Sequence, residues 1–218
     1  MKSCATISLR TRFTVNPIAC IVAAFAFCDV APAQTARPGA NAIATVVLGE
    51  LPQIPLYWHL DTYPTRTAAE ADKGARGTVV ESFDKVWLFT IAEANWRPSG
   101  GDWVAKIGPL PISASGANMT ATYLQAATSP GFQTDVHQLA GPEALYILSG
   151  EVCVETPQGK RVGRAGGEPL LIAGGQPMQL TSIGAETRRS IVLVLHDSSR
   201  SWKVPASGWT PKGLCTSS

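Results

Sequence analysis

The chain has 218 residues, 45% of them hydrophobic and 16% charged, which excludes disordered and fibrous classes and leaves room for one substantial core but not a second full-sized domain. Its formal net charge of +2 comes from the N-terminus. Without the first 33 residues, which hold three of the 18 basic and one of the 16 acidic side chains, 15 of each remain. No basic patch interleaved with aromatics is left, so nucleic acid is excluded as a partner.

In chain order, Lys2, Arg10 and Arg12 precede an apolar run from Ile18 to Phe27, followed by Ala31-Pro32-Ala33. This is the pattern of a secretory signal peptide over residues 1–33 with an A-x-A cleavage site. The run is about half the length of a membrane-spanning helix, and Phe27 before Cys28 is too bulky for a lipoprotein signal. A secreted or periplasmic mature chain starting at Gln34, with no membrane span after cleavage, is the expectation. A retained anchor or a buried strand over residues 18–28 is the alternative.

Beyond a small, polar leader at 34–41, Ala42 to Leu48 reads as a short strand. Leu51 to Pro64, with three prolines and three aromatics, reads as a loop packed on a surface, and Thr65 to Ala75 as the one helix. Gly77 to Ser82 and Lys85 to Ala92 form a predicted hairpin around Phe83-Asp84, and Trp103 to Ile107 a further strand. Short β-prone segments follow at Met119 to Ala127, Ala144 to Leu148, Val152 to Glu155, Pro169 to Ile172, Met178 to Ile183 and Ser190 to His196. Six such segments with turns between them mean an all-β sandwich or barrel. Ser190 to His196 is apolar enough to be covered on both faces.

Cys4, Cys20 and Cys28 lie within the export segment, so the mature chain keeps only Cys153 and Cys215. In an oxidising compartment these two could pair, closing a loop of about sixty residues and adding about 2–4 kcal/mol. The alternative is Cys153 as a small buried hydrophobe and Cys215 in a frayed tail.

The most informative stretch places Gly131, His137, Leu139, Glu143 and Gly150 at fixed spacing. It resembles the first motif of the cupin superfamily, G-x5-H-x-H-x3-E-x6-G, with Leu139 in place of the second histidine. Positions 137 and 139, two apart on a strand, would share the barrel-facing side, and Gly150 would supply a left-handed turn. Residues 167–182 resemble the second motif, G-x5-P-x-G-x2-H-x3-N, through Gly167 and Gly175 only. Ala173, Met178 and Ser182 stand at its proline, histidine and asparagine positions.

The resemblance implies a cupin jelly-roll barrel over residues 119–197, with a 34–118 extension of extra strands and one short helix packing on it and a 198–218 tail. It also implies a divalent transition metal, for which only His137 and Glu143 survive as ligands. A metal-free alternative has His137 hydrogen-bonded to Glu143, which would favour the protonated imidazole and suit acid–base chemistry. His59 reads as a packed surface or lid residue and His196 as a strand end near solvent.

Three functions compete. The first is ligand binding in an apolar, metal-poor cavity lined by His137, Leu139, Glu143, Leu145, Ile147 and Met178. The second is a metal-dependent oxygenase, isomerase or lyase with His137 and Glu143 as ligands and Gln133, Gln138 or Gln179 nearby. The third is an interaction protein in which residues 42–112, with four of the six tryptophans, present a partner surface. The resemblance implies a homodimer.

Overall fold

A computed structural model describes residues 39–112 and 118–216; the expected signal peptide, residues 1–33, lies outside the described residues. The elements in order are β1 (Gly39–Glu50), β2 (Tyr57–Tyr63), α1 (Arg66–Asp72), β3 (Gly77–Ser82), β4 (Lys85–Ala92), β5 (Asp102–Ile107) and β6 (Asn118–Thr128). There follow β7 (His137–Leu139), β8 (Glu143–Ser149), β9 (Glu151–Thr156), β10 (Gly159–Arg164), β11 (Leu170–Ile172), β12 (Pro177–Ile183), β13 (Arg188–Asp197) and β14 (Lys203–Pro205).

These strands form three antiparallel sheets. The barrel has one sheet in the order β1-β6-β13-β8-β11 and another in the order β10-β9-β12-β7-β14. A third, β3-β4-β2-β5, covers the outer face of the first. Strand alternation separates the two cores. On β13, Val192 and Val194 point into the barrel with Leu124, Leu139, Leu145, Met178 and Leu180. Ile191, Leu193 and Leu195 point the other way, against Trp58, Leu60, Trp87 and Phe89 of the third sheet. This double coverage is why the Ser190 to His196 stretch is almost wholly apolar.

The helix is shorter than the sequence suggests. Thr65 caps it, its Oγ1 accepting from the Ala68 N–H at 3.2 Å, and Gly74 follows its end. The expected hairpin turns through Phe83 and Asp84, both with positive φ, as a two-residue turn matching the strand twist requires.

The expected loop at 51–64 is instead largely strand. Pro52, Pro55 and Pro64 flank β2 without interrupting it, and β2 is an inner strand of its sheet. Trp58 and Leu60 face the layer below, while His59, Asp61 and Tyr63 alternate to the side covered by α1 and Trp96. Two further strands carry no clear sequence signal. β10 is a charged edge strand, as unpaired edges commonly are, and β14 is a three-residue pairing with β7. Among the described residues, no helix is long and apolar enough to cross a membrane.

The C-terminal tail is held on the outer face of β9. A disulfide joins Cys153 to Cys215, and the Glu155 carboxylate accepts from the backbone N–H groups of Lys212 and Leu214.

Candidate functional site

The barrel holds a partly open cavity of about 330 Å³. Its walls carry Leu124, Leu139, Leu145, Leu180 and Val192, and its polar lining includes His137, Glu143, Arg188 and Lys203.

His137 sits on β7, held between β12, where it faces Met178, and β14, where it faces Pro205. It and Leu139 are both buried on the barrel side, as their spacing demands, while Gln138 turns out and donates to the Gly175 carbonyl. The His137 Nδ1 lies 2.8 Å from the Asp135 carbonyl oxygen. A carbonyl only accepts, so Nδ1 carries the proton and Nε2 keeps its lone pair. Burial lowers the pKa of the ring and outweighs that hydrogen bond, which acts in the opposite sense.

Glu143 opens β8 and is paired in register with Ile172 on β11 and Val194 on β13. Burial raises its pKa to about 7, against the opposing pull of Arg188 and Lys203. Its Oε2 has no hydrogen-bond partner. The expected His137–Glu143 hydrogen bond is therefore absent. His137 bonds to backbone instead, and its ring is pushed toward the neutral form rather than the protonated one.

Arg188 is the site residue that the sequence pattern hides, because the apolar run that marks its strand begins only at Ser190. Extending the alternation of β13 two residues upstream puts a guanidinium in the same inward register as Ser190, Val192 and Val194. Arg188 is 3% exposed. Its Nε donates to Thr128 Oγ1 at 3.0 Å, and Thr128 is hydrogen-bonded to Ser182 at 2.6 Å. Its Nη1 is buried without an acceptor. The motif glycine, Gly150, has φ +66°, and a Cβ there would lie 2.9 Å from the Arg188 Cα. The tight turn after β8 thus packs directly on the Arg188 backbone.

Of the other expected residues, Leu139 and Leu145 line the cavity, whereas Ile147 and Met178 belong to the packed barrel interior and do not. Gln133 lines the cavity and Gln179 donates to the Thr134 carbonyl. His59 is buried, not a lid: its Nε2 donates to the Glu93 carbonyl at 2.9 Å. His196 is likewise buried, its Nε2 3.2 Å from Thr122 Oγ1.

A transition metal does not fit these side chains. His137 and Glu143 supply two donors, Leu139 has none, and Met178 is closed into the apolar interior. Among the described residues, no group of three His, Cys, Asp or Glu side chains could hold an ion. Arg188 and Lys203 add positive charge to the same lining, which opposes a cation.

No protein-family model matches the chain, and comparison with curated proteins gives no match. Solved structures that match part of the chain include a cupin-2 domain protein from Shewanella frigidimarina NCIMB 400, at 14% identity and a TM-score of 0.29 over 34% of this chain and 68% of that one. A cupin superfamily protein from Desulfitobacterium hafniense DCB-2 matches at 13% identity and a TM-score of 0.31, over 39% and 73%. An oxalate oxidase matches at 19% identity and a TM-score of 0.34, over 39% of this chain and 45% of the oxidase, less than half its length.

Proposed function

We propose that this chain, a cupin in fold, binds a small organic molecule inside its barrel and does so without a metal. The carrying observation is the 330 Å³ cavity with an aliphatic wall and a few converging polar groups, which is the size and lining of small-molecule sites. The replacement of two expected histidines by Leu139 and Met178 supports the metal-free part.

Export is part of the same reading. It is supported by the basic, apolar and A-x-A order of residues 1–33 and by the Cys153–Cys215 bond, since disulfides persist in oxidising compartments. The tryptophans of residues 42–112 are only in part free to form a partner surface, because Trp58 and Trp87 are fully buried between layers.

The test compares wild type with Val192→Phe, which fills the cavity, against a panel of small organic molecules. Bound compounds raise the wild-type Tm with concentration, and the filled variant keeps its circular dichroism but loses the shift. A panel without effect on wild type, or with equal effect on both, overturns the binding reading. Near one equivalent of metal in protein purified without a His-tag, lost on His137→Ala, overturns the metal-free part.

A further inference from the structure

We infer that the barrel ligand is a monocarboxylate with an apolar body, its carboxylate paired with the Arg188 guanidinium; this rests on the cavity reading above. The inward-facing residues of β13 and their register partners divide the barrel into three bands. At one end Arg188 lies opposite Thr128. In the middle Val192 is flanked by Leu124 on β6 and Leu145 on β8. At the far end Val194 is beside Glu143. The backbones of the first and last bands are about 20 Å apart along the strand, at roughly 3.3 Å per residue. The Arg188 and Glu143 side chains nevertheless line one cavity, and each acts on the charge of the other.

A guanidinium has five N–H donors and is costly to bury while any lack an acceptor. Here Nε is served by Thr128, but Nη1 is not. The buried carboxylate that faces Arg188, Glu143, supports its charge from across the cavity without an ion pair within 4.0 Å. Ser190, the next inward residue, has a fully buried hydroxyl with no partner. Of these two residues only Arg188 lines the cavity, so an unmet guanidinium donor lies at one end of a space whose middle is aliphatic.

A carboxylate answers this arrangement, because its two oxygens take parallel N–H bonds from one guanidinium and its chain can lie along Val192, Leu124 and Leu145. A neutral carbonyl can accept one N–H bond from Nη1 but brings neither the second oxygen nor the charge of a carboxylate. A more highly charged anion fits less well, since Glu143 and Asp135 share the lining and the middle band has no donors.

The experiment titrates the full mature chain at pH 7 with acetate, hexanoate and benzoate, each beside its amide, by calorimetry and by methyl shifts of Leu124, Leu145 and Val192. Acids are expected to bind at least about tenfold more tightly than amides, with the preference gone in Arg188→Met and reduced in Arg188→Lys. Amides binding as well as acids would overturn the carboxylate assignment and leave the cavity reading standing. If no compound moves these methyls, both readings fall. A preference that survives Arg188→Met shows that another group holds the anion; if that variant does not fold, full preference in Arg188→Lys overturns the pairing in the same way.

Discussion

Among the described residues, two buried histidines each have a buried carboxylate nearby, and of these two pairs the barrel pair lines the cavity. On β2, His59 and Asp61 share one side of the strand, two residues apart. In the barrel, His137 and Glu143 come from different strands. In both pairs burial lowers the histidine and raises the carboxylate, Asp61 to about 6 and Glu143 to about 7. Each histidine donates one ring N–H to a backbone carbonyl, and each carboxylate keeps one buried oxygen without a partner. The difference lies in what surrounds them. Trp96 stacks edge-on against His59 at 5.2 Å, and neither His59 nor Asp61 lines the barrel cavity. Perturbed titration marks burial; a ligand site also needs volume, which of these two pairs the barrel pair has.

The largest expected effect separates packing from binding. Trp58→Ala, in the core beneath β2, is expected to cost about 3–5 kcal/mol in urea unfolding. Carboxylate affinity per folded molecule should be unchanged. A weakened affinity would mean that the two regions are coupled.

Next come the two carboxylates. The fold favours the protonated form of each, so the stability each contributes is present in full below its ordinary pKa and lost as pH rises through the raised one. The windows are 3.8 to about 6 for Asp61 and 4.5 to about 7 for Glu143. Asp61→Asn is expected to flatten the lower window and to add on the order of 1–2 kcal/mol at pH 7. Glu143→Gln should flatten the upper one. Saturating benzoate should alter only the slope due to Glu143, as followed by denaturant midpoints from pH 3.5 to 8. Equal response of both slopes would erase the distinction between the pairs.

The smallest effect concerns Met178, at the position of the missing histidine. As interior packing it should accept Met178→Leu for less than about 1.5 kcal/mol, with benzoate affinity unchanged by calorimetry. A clear loss of affinity would return Met178 to the site.

Much of the fold was legible because its signals are local. The spacing of Gly131, His137, Glu143 and Gly150, the β-prone segments between turns, and the single helix all follow from short-range rules. β2 was obscured because its flanking prolines and its polar His59 and Asp61 resemble a loop; only the layer over them makes those residues interior. β10 and β14 are short or charged, and their pairing comes from neighbours distant in sequence.

The candidate site was half legible. His137, Leu139, Glu143 and Leu145 line the cavity as their positions on strands imply, since alternation is a property of a single strand. Whether Met178 and Ile147 reach open space depends on how the opposing sheets pack, which no single strand records. The sequence by itself determined the barrel class, the inward register of positions 137 and 139, and the replacement of two motif histidines by Leu139 and Met178. Tertiary structure alone decided that His137 hydrogen-bonds to backbone rather than to Glu143. It also decided that Cys153 meets Cys215 and that Arg188, at the start of β13, lines the same cavity as Glu143. Those are distances between residues far apart in the chain, and only the closing of one sheet over another sets them.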